Sequence, residues 1–537
     1  MNRADLIVKG SIFDSLSGKP YKGYVATSGN KIIAVCAGDD VSGIACPATK
    51  TYDMGDRLVM PGFHDSHTHL FLAGIYKSHI NLAGFRSEED VCEALYEAYK
   101  GGPENKWVFG FSWYHVFWDN RTFPTKHSLD KYFPGAPVLL FNAGLHGAWV
   151  NSKALEIAGI TRDTPDPFGG SFSRDEDGEP SGFLYESAIA PVIKHAFQFT
   201  YEEEMRYLKA FISSAASLGI TSVNDMQPYF GMNMGSLEAY KDIESSGEMS
   251  VRVNVAKDLL GDLDAVIEDG RKYDSDKLKV SLLKQFMDGV PTAHTALVVD
   301  DYADAPGNRG ISLAPLDEIK AAVLEAHRRG MSVRLHSCGD MSARLALDYY
   351  EEAIKIHGRN ECRHGIEHVE FLTDQDVPRF GRLGVIASMQ PEHIAMTRTF
   401  DKNPYPEVLG CERANKTWPL KTMLDQNGVI AIGSDCPVVN NSPFLEIFRA
   451  VTRLHDDGKP EGGWNPAEKL TLAEVLTGYT YGGAYAVRRE KELGTLEAGK
   501  FADIVVIDRN LFEIDPWDIL RSAVQMTIFD GEVIYRK

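Results

Sequence analysis

Two histidines separated by one residue, His67 and His69, stand in the segment GFHDSHTHL near the start of the chain. The apolar residues before them predict a β-strand, on which residues i and i+2 present their side chains on the same face. Paired imidazoles of this kind are common ligands of divalent cations. The motif alone is weak, because the same spacing arises by chance. We expect His64, on the opposite face of the strand, to be structural.

Three further polar groups each end an apolar run. His336 ends SVRLHSCGD, His368 ends GIEHV, and Asp435 lies in VIAIGSDCP. Imidazoles together with a carboxylate suit Zn²⁺ or another divalent ion. An open coordination position on such an ion would hold water and lower its pKa towards about 7. Asp435 would then hold the proton of that water and pass it to a leaving group.

A single lysine, Lys284, interrupts the apolar strand segment LLKQFMDG. The plain alternative is a lysine that reaches the surface. A buried lone cation is costly, however, and such a lysine can react with CO₂ to give a carbamate that bridges two cations. We favour the carbamate, and we leave open whether one or two ions bind. Asp288 in the same segment is a further candidate contact.

These residues can meet only if the fold gathers the ends of distant strands. The middle of the chain alternates short apolar runs with helical patterns, which is typical of parallel βαβ units. Eight units predict a (β/α)8 barrel of the TIM type, whose active sites lie at the carboxyl ends of its strands. The candidate strands are residues 58–65, 219–226, 251–256, 282–289, 331–338, 364–369, 384–391 and 429–436.

Both ends of the chain are rich in strand patterns and hairpin signals. We therefore predict a composite β-sandwich domain from residues 1–57 and 490–537, around a catalytic barrel at 58–489. Residues 66–218 separate the first two candidate strands and contain strands of their own. A structureless loop of this length is uncommon in a compact domain. The segment is therefore predicted to be an insertion subdomain that overhangs the barrel mouth.

The insertion contains candidates for substrate contact. His146, ahead of the helical segment SKALEIAG, could donate to a substrate carbonyl or a developing oxyanion; alternatively, this segment only caps the helix. The segment FSWYHVFWDN concentrates aromatic residues, among them Trp113 and His115, that either form a core or line an apolar pocket. Further candidates for substrate contact are His294 and Gln390, which follow barrel strands.

Composition excludes several classes of protein. Hydrophobic residues make up 44% and charged residues 25%, which is ordinary for a globular chain. The net charge of −20 argues against nucleic acid and anionic lipid as partners. The seven scattered cysteines predict no disulfide framework. With no apolar stretch of about 18 residues, we expect a cytoplasmic protein with a small-molecule substrate; a homodimer is left open.

In order along the chain, PGFHDSHTHL, Lys284, His336, His368 and GSDCPV resemble the amidohydrolase superfamily. Other motifs, spread over nearly the whole chain, are similar to its amidohydrolase family 3 branch, whose members include N-substituted formamide deformylases. These motifs are HGAWVNSKAL (146–155), KQFMDG (284–289), HSCGD (336–340), SMQPEH (388–393), GSDCPV (433–438) and GTLEAGKFADIVVID (494–508).

The resemblance implies a metal-bearing barrel with a β-sandwich domain from both termini. It also implies one or two divalent ions, such as Zn²⁺, and a set of ligands. That set is His67, His69, Lys284, His336, His368 and Asp435. Leu145 and Gly147 depart from the family pattern beside His146, which leaves the substrate undecided.

The function expected from these patterns is metal-dependent hydrolysis of a non-peptide C–N amide-like bond, in an N-acyl, N-formyl or cyclic amide. Asp435 and His146 are the expected catalytic residues. The same metal site could instead serve ester hydrolysis, decarboxylation or isomerisation, because a fold does not determine a reaction. A non-catalytic scaffold is the third alternative, and the complete set of ligands argues against it.

Overall fold

The computed structural model describes residues 3–103, 106–120 and 122–537. Residues 1, 2, 104, 105 and 121, which fall in the predicted terminal and inserted segments, lie outside the described residues. In chain order, the strands of the described part are β1 (Leu6–Ile12), β2 (Tyr21–Ser28), β3 (Lys31–Ala37), β4 (Lys50–Pro61), β5 (Phe63–Thr68), β6 (Ile80–Asn81), β7 (Val108–Trp113), β8 (Val138–Asn142), β9 (Gly147–Val150), β10 (Gly170–Arg174), β11 (Pro180–Glu186), β12 (Ile220–Asp225), β13 (Pro228–Tyr229), β14 (Met232–Asn233), β15 (Arg252–Asp258), β16 (Leu278–Phe286), β17 (Ser332–Ser337), β18 (Gly365–His368), β19 (Ile386–Met389), β20 (Ala431–Ile432), β21 (Ile504–Ile507), β22 (Val524–Phe529) and β23 (Glu532–Arg536).

The α-helices of the same residues connect these strands and cover the sheets. They are α1 (Leu70–Ser78), α2 (Glu88–Tyr99), α3 (Lys126–Tyr132), α4 (Ser152–Ala158), α5 (Ala190–Ala196), α6 (Tyr201–Ser217), α7 (Leu237–Ser245), α8 (Leu263–Lys272), α9 (Leu316–Arg328), α10 (Asp340–His357), α11 (Val377–Leu383), α12 (Tyr405–Val408), α13 (Cys411–Ala414), α14 (Leu420–Asn427), α15 (Pro443–Thr452), α16 (Leu472–Thr477), α17 (Gly483–Ala486) and α18 (Pro516–Ile519). Within the described ranges, no helix has the length and apolar character needed to cross a lipid bilayer.

Eight parallel strands form the central barrel, in the order β20-β19-β18-β17-β16-β15-β12-β5. A parallel bridge between Thr68 and Cys436 links the first strand to the segment after the last. Every residue of β5, β12, β17 and β18 is buried, as expected for parallel strands that helices cover. The predicted (β/α)8 barrel is confirmed.

The first predicted strand, 58–65, is in fact two strands. Residues up to Pro61 complete β4 of the terminal sheet, and the barrel strand β5 begins at Phe63. Between them, Gly62 packs so closely on Thr221 that an added Cβ would lie 2.2 Å from its Oγ1. His67 is consequently inside β5 rather than after a strand, and His69 follows its last residue.

Strands from both ends of the chain form one seven-stranded sheet, in the order β23-β22-β21-β4-β1-β2-β3. Successive residues of β1 enter separate apolar clusters, with Leu6 and Val8 in one and Ile7 in the other, because strand side chains alternate between faces. The chain between β5 and β12 contains a third sheet of six strands, in the order β10-β11-β9-β8-β7-β6. This sheet carries the inserted residues that reach the barrel mouth.

Candidate metal centre and its cavity

Three of the predicted ligands, His67, His69 and His368, converge on Asp435. Its Oδ1 lies 3.3 Å from His67 Nε2 and 3.4 Å from His69 Nε2, and its Oδ2 lies 3.9 Å from His368 Nδ1. A fourth imidazole, that of His393, places Nε2 3.7 Å from Oδ2. Asp435 adopts a left-handed backbone with φ of 58°. Such strained residues are concentrated at functional sites, where the surrounding structure maintains them.

A buried carboxylate orients the first of these imidazoles. His67 Nδ1 lies 2.6 Å from Glu367 Oε2, and both side chains are fully buried. Donation of the Nδ1 proton to Glu367 leaves Nε2 facing Asp435, the arrangement that orients metal-binding histidines in many proteins. Glu367 is not among the site residues predicted from the sequence. Its importance could have been inferred from the sequence, because an acidic residue inside the buried strand segment GIEHV requires a partner.

Burial and charge fix the protonation of the cluster. Burial lowers the pKa of His336 and of His368 well below the usual range, so both are neutral, which is the ligating form. Burial acts to raise the pKa of Asp435, but His67, His69 and His368 outweigh it and hold that pKa well below its usual range. The centres of the His336 and His368 rings lie 4.3 Å apart. Neutral imidazoles of His336 and His368 therefore lie beside the anionic carboxylate of Asp435.

Several buried atoms at this point lack a hydrogen-bond partner among the described residues. They include His67 Nε2, Asp435 Oδ1 and Lys284 Nζ. Ligand atoms of His67, His368 and Asp435 all lie within 4.8 Å of one another. Because buried polar atoms in folded proteins nearly always have partners, the unpaired imidazole nitrogen of His67 and carboxylate oxygen of Asp435 fit a divalent cation as the missing partner.

Lys284 is fully buried on β16, and burial lowers the pKa of its ammonium. Its Nζ lies 4.7 Å from the centre of the Phe286 ring. The neutral amine, which burial favours, is the form that can react with CO₂. Carboxylation of Lys284 therefore stays a prediction that its surroundings support.

A cavity of about 380 Å³ opens beside this cluster. His336, His368 and Asp435 line one part of it. Aromatic and aliphatic side chains line much of the rest, among them Tyr114, Val116, Phe123, Phe183, Ile394, Met396 and Val438. A mainly apolar cavity with a few polar groups is the usual form of a small-molecule site.

His146 reaches this cavity from the loop between β8 and β9 of the insertion. Its Nδ1 lies 2.6 Å from Glu186 Oε2, while Thr295 Oγ1 donates to Glu186 Oε1 over 2.7 Å. The His146 ring centre is 5.4 Å from that of His336. Glu186 is fully buried and has φ of 50°. Glu186 thus fixes an imidazole beside the cluster, and it is not among the site residues predicted from the sequence.

The other predicted substrate contacts lie in different places. His115 and His294 line the cavity, and His294 Nε2 also lies 2.9 Å from Asp304 Oδ1. Trp113 does not reach the cavity. It is fully buried in the core of the insertion, where its Nε1 donates to the Leu140 carbonyl oxygen over 3.0 Å, because its side of β7 faces that core.

Gln390 contacts a predicted ligand rather than the cavity. Its Oε1 lies 3.0 Å from His368 Nδ1, and the side chain is buried. Asp288 lies 3.9 Å from His336 Nε2 and accepts backbone N–H groups from Leu297, Cys338 and Gly339. Both residues therefore support the cluster from behind.

A second group with potential metal ligands, His327, Cys362 and His364, lies at the other end of the barrel. Val333 N–H donates to His364 Nδ1, so the ring proton of His364 is on Nε2, 2.9 Å from His327 Nδ1. His327 Nε2 is in turn 2.9 Å from the Gly358 carbonyl oxygen. These hydrogen bonds use every ring nitrogen of His327 and His364, and we assign the group a structural role.

A family model described as amidohydrolase family matches residues 50–535. The chain belongs to the amidohydrolase family. Among similar proteins is LONG AFTER FAR-RED 3 of Arabidopsis thaliana, which is 30% identical over 99% of this chain and 92% of its own length. The N-substituted formamide deformylase of Arthrobacter pascens is 26% identical over 96% of this chain and 95% of its own.

A solved structure titled as an uncharacterized metal-dependent hydrolase from Pyrococcus furiosus is also similar to this amidohydrolase. Its sequence identity is 26% and its TM-score 0.71, over 94% of this chain and 99% of that one. Family membership and the cluster at Asp435 together indicate a metal-dependent hydrolase.

Proposed function

We propose that this amidohydrolase cleaves a non-peptide C–N amide-like bond in an N-acyl, N-formyl or cyclic amide. The convergence of buried imidazoles on the anionic carboxylate of Asp435, at the wall of a mainly apolar cavity, is the observation that supports the proposal. The relative from Arthrobacter pascens, an N-substituted formamide deformylase, makes N-formyl compounds the first class to test.

The residues that would hold the metal are His67, His69, His336, His368 and Asp435, with Lys284 as a carbamate where two ions bind. Imidazole and carboxylate donors favour Zn²⁺ or a similar ion. When bound, such an ion polarises a carbonyl group and lowers the pKa of water.

Two side chains would carry the proton and the developing charge. Asp435, anionic and open to the cavity, accepts a proton from the attacking water and delivers it to the leaving nitrogen. His146 lies beside His336 with its Nδ1 held by Glu186, and as an imidazolium it would donate through Nε2 to the carbonyl oxygen as negative charge develops there. Apolar walls, including Phe123 and Phe183, would hold an apolar substituent and exclude water.

Replacement of the central carboxylate tests this proposal directly. We expect Asp435→Asn to lower kcat/KM on N-substituted formamides and related N-acyl compounds by about 10³-fold or more, because the proton acceptor is lost. Dialysis against a chelator should abolish the activity and Zn²⁺ should restore it. Asp374→Asn, at an exposed aspartate, is the matched control.

The same assay distinguishes the alternatives. Full activity of Asp435→Asn, or of metal-free protein, would contradict the mechanism. Turnover of esters with no turnover of any amide in the panel would favour the ester hydrolase instead.

Lys284 has its own test. We expect Lys284→Ala to lose at least one bound ion per chain, measured by elemental analysis, and a small added carboxylate such as acetate to restore part of the activity. Lys279→Ala, at a half-buried lysine of the same strand that pairs with Asp274, is the control. A free ammonium on Lys284 in metal-loaded crystals would contradict carboxylation and leave a single-ion site.

A further inference from the structure

A carboxyl group outside the predicted ligand set, that of Glu370, lies in the wall of the same cavity. Glu370 is only 4% exposed. Glu370 is neither a predicted site residue nor part of the proposed mechanism. Its position beside the metal centre nevertheless places it within reach of any substrate that fills the cavity.

The backbone turns sharply to bring this carboxyl group to the cavity. His368, the last residue of β18, has φ of 77°, and Val369 has φ of 48°. Two successive non-glycine residues in the left-handed region, one of them β-branched, are unfavourable, and such strain concentrates at functional sites. The turn allows both His368 and Glu370 to line the cavity.

The neighbours of the Glu370 carboxyl group are hydrogen-bond donors without positive charge of their own. The Tyr405 hydroxyl donates to Oε2 over 2.5 Å, and the Cys338 thiol is a second neighbour. No lysine, arginine or histidine in the described ranges forms an ion pair with Glu370, although His146 lies close enough for its charge to act on the carboxyl group. A carboxylate can accept about four hydrogen bonds, so the capacity of Glu370 is incompletely used.

We propose that Glu370, held in place by Tyr405, is a substrate subsite for a cationic N–H group such as an amidinium, guanidinium or ammonium. A buried carboxyl group is costly to ionise unless a cation pairs with it, and the open side of this one faces the substrate cavity. The inference rests on the proposed function, because the subsite shares its cavity with the metal centre. It defines the substrate class as amides with a basic nitrogen near the scissile bond.

Three planar probes of nearly the same shape test the subsite through binding alone. Benzamidine is a cation with N–H donors, benzamide is neutral with N–H donors, and acetophenone has no donor. On the zinc-loaded protein, ligand-observed NMR titration should give a dissociation constant for benzamidine at least tenfold lower than that for acetophenone. Benzamide should lie between them, because hydrogen bonds between ionised groups are about twice as strong as neutral ones.

Glu370→Gln should reduce the preference for benzamidine to less than threefold while the affinity for acetophenone stays within twofold. If the glutamine variant fails to fold, Glu370→Met, which has a similar side-chain volume, should show the same loss of preference. Tyr405→Phe should keep the preference, since the carboxylate remains. Glu446→Gln is the matched control, because Glu446 is fully buried and its Oε2 accepts from the Glu392 N–H.

Equal binding of the three probes to the wild-type protein would overturn the subsite, as would a preference that survives in Glu370→Gln. Repeating the titration after removal of the metal tests whether the probes bind the ion rather than Glu370. A preference that disappears with the metal would show that the probe binds the ion and would also overturn the proposal. No outcome depends on catalysis, so failure of the subsite and failure of the proposed hydrolysis are distinguishable.

Discussion

The barrel and the insertion each contain one histidine whose Nδ1 lies 2.6 Å from a buried glutamate. The barrel pair is His67–Glu367 and the inserted pair is His146–Glu186. The His67 side chain is fully buried, with Nε2 at 3.3 Å from Asp435, whereas the His146 side chain is 12% exposed and lines the cavity. We therefore expect the same pairing to support two roles, with His67 as a metal ligand and His146 as a hydrogen-bond donor, and the surroundings of Nε2 to decide between them.

Removal of the inserted imidazole should have the largest effect of the three changes that test this contrast. We expect His146→Gln to lower kcat by about 10²–10³-fold, the usual cost of losing an oxyanion donor, with the metal content unchanged. His127→Gln, at an exposed histidine of α3 in the same insertion, is the control. Loss of bound metal from His146→Gln would show that His146, like His67, contributes to metal binding, and would contradict the contrast between the two histidine–glutamate pairs.

Removal of the barrel carboxylate should act on the metal instead. We expect Glu367→Gln to weaken zinc binding by about 10–100-fold, as loss of a carboxylate behind a ligand histidine usually does. Competition with a chromophoric chelator measures this. Glu186→Gln should leave the zinc affinity within about twofold under the same principle. Equal weakening in both variants would show that His146 also contacts the ion.

The smallest expected effect is on the pH dependence of stability, through the charge on His146. Burial opposes a charge on His146, but the Glu186 carboxylate outweighs it and raises the pKa of His146. A raised pKa in the folded state contributes stability that is complete below the unfolded pKa of about 6.5. That contribution disappears as the pH rises through the folded pKa.

Glu186→Gln removes this contribution. The difference in unfolding temperature between the wild-type protein and Glu186→Gln should therefore be largest near pH 6 and smaller near pH 9, by a few degrees at most for a chain of this size. Thermal denaturation at the two pH values measures it. A difference that does not change with pH would show that Glu186 acts only through uncharged hydrogen bonds.

The sequence predicts the barrel well, because buried parallel strands are continuous apolar runs and their carboxyl ends must meet. All eight predicted strands overlap strands of the barrel. His67, His69, His368 and Asp435 meet for that reason. The error at 58–65 arose because two sheets share one extended segment, and only a close contact at Gly62 separates them.

Other parts of the site depend on tertiary contacts that no spacing encodes. Glu186 is 40 residues from His146 and 109 from Thr295, so nothing local connects the three. The aromatic residues of the insertion could be assigned to a core or to a pocket, and Trp113 belongs to the core. Gln390 follows its strand as predicted but turns towards His368, because that imidazole needs a partner for Nδ1.

The bridge that closes the barrel joins Thr68 to a residue 368 positions later in the chain. During translation at about 5–20 residues per second, roughly 20–70 s therefore pass between synthesis of the first two predicted ligand histidines and of Asp435. A nascent chain has no complete set of ligands during that time. The complete set of predicted ligands can therefore form only after Asp435 has been synthesised, late in translation of the chain.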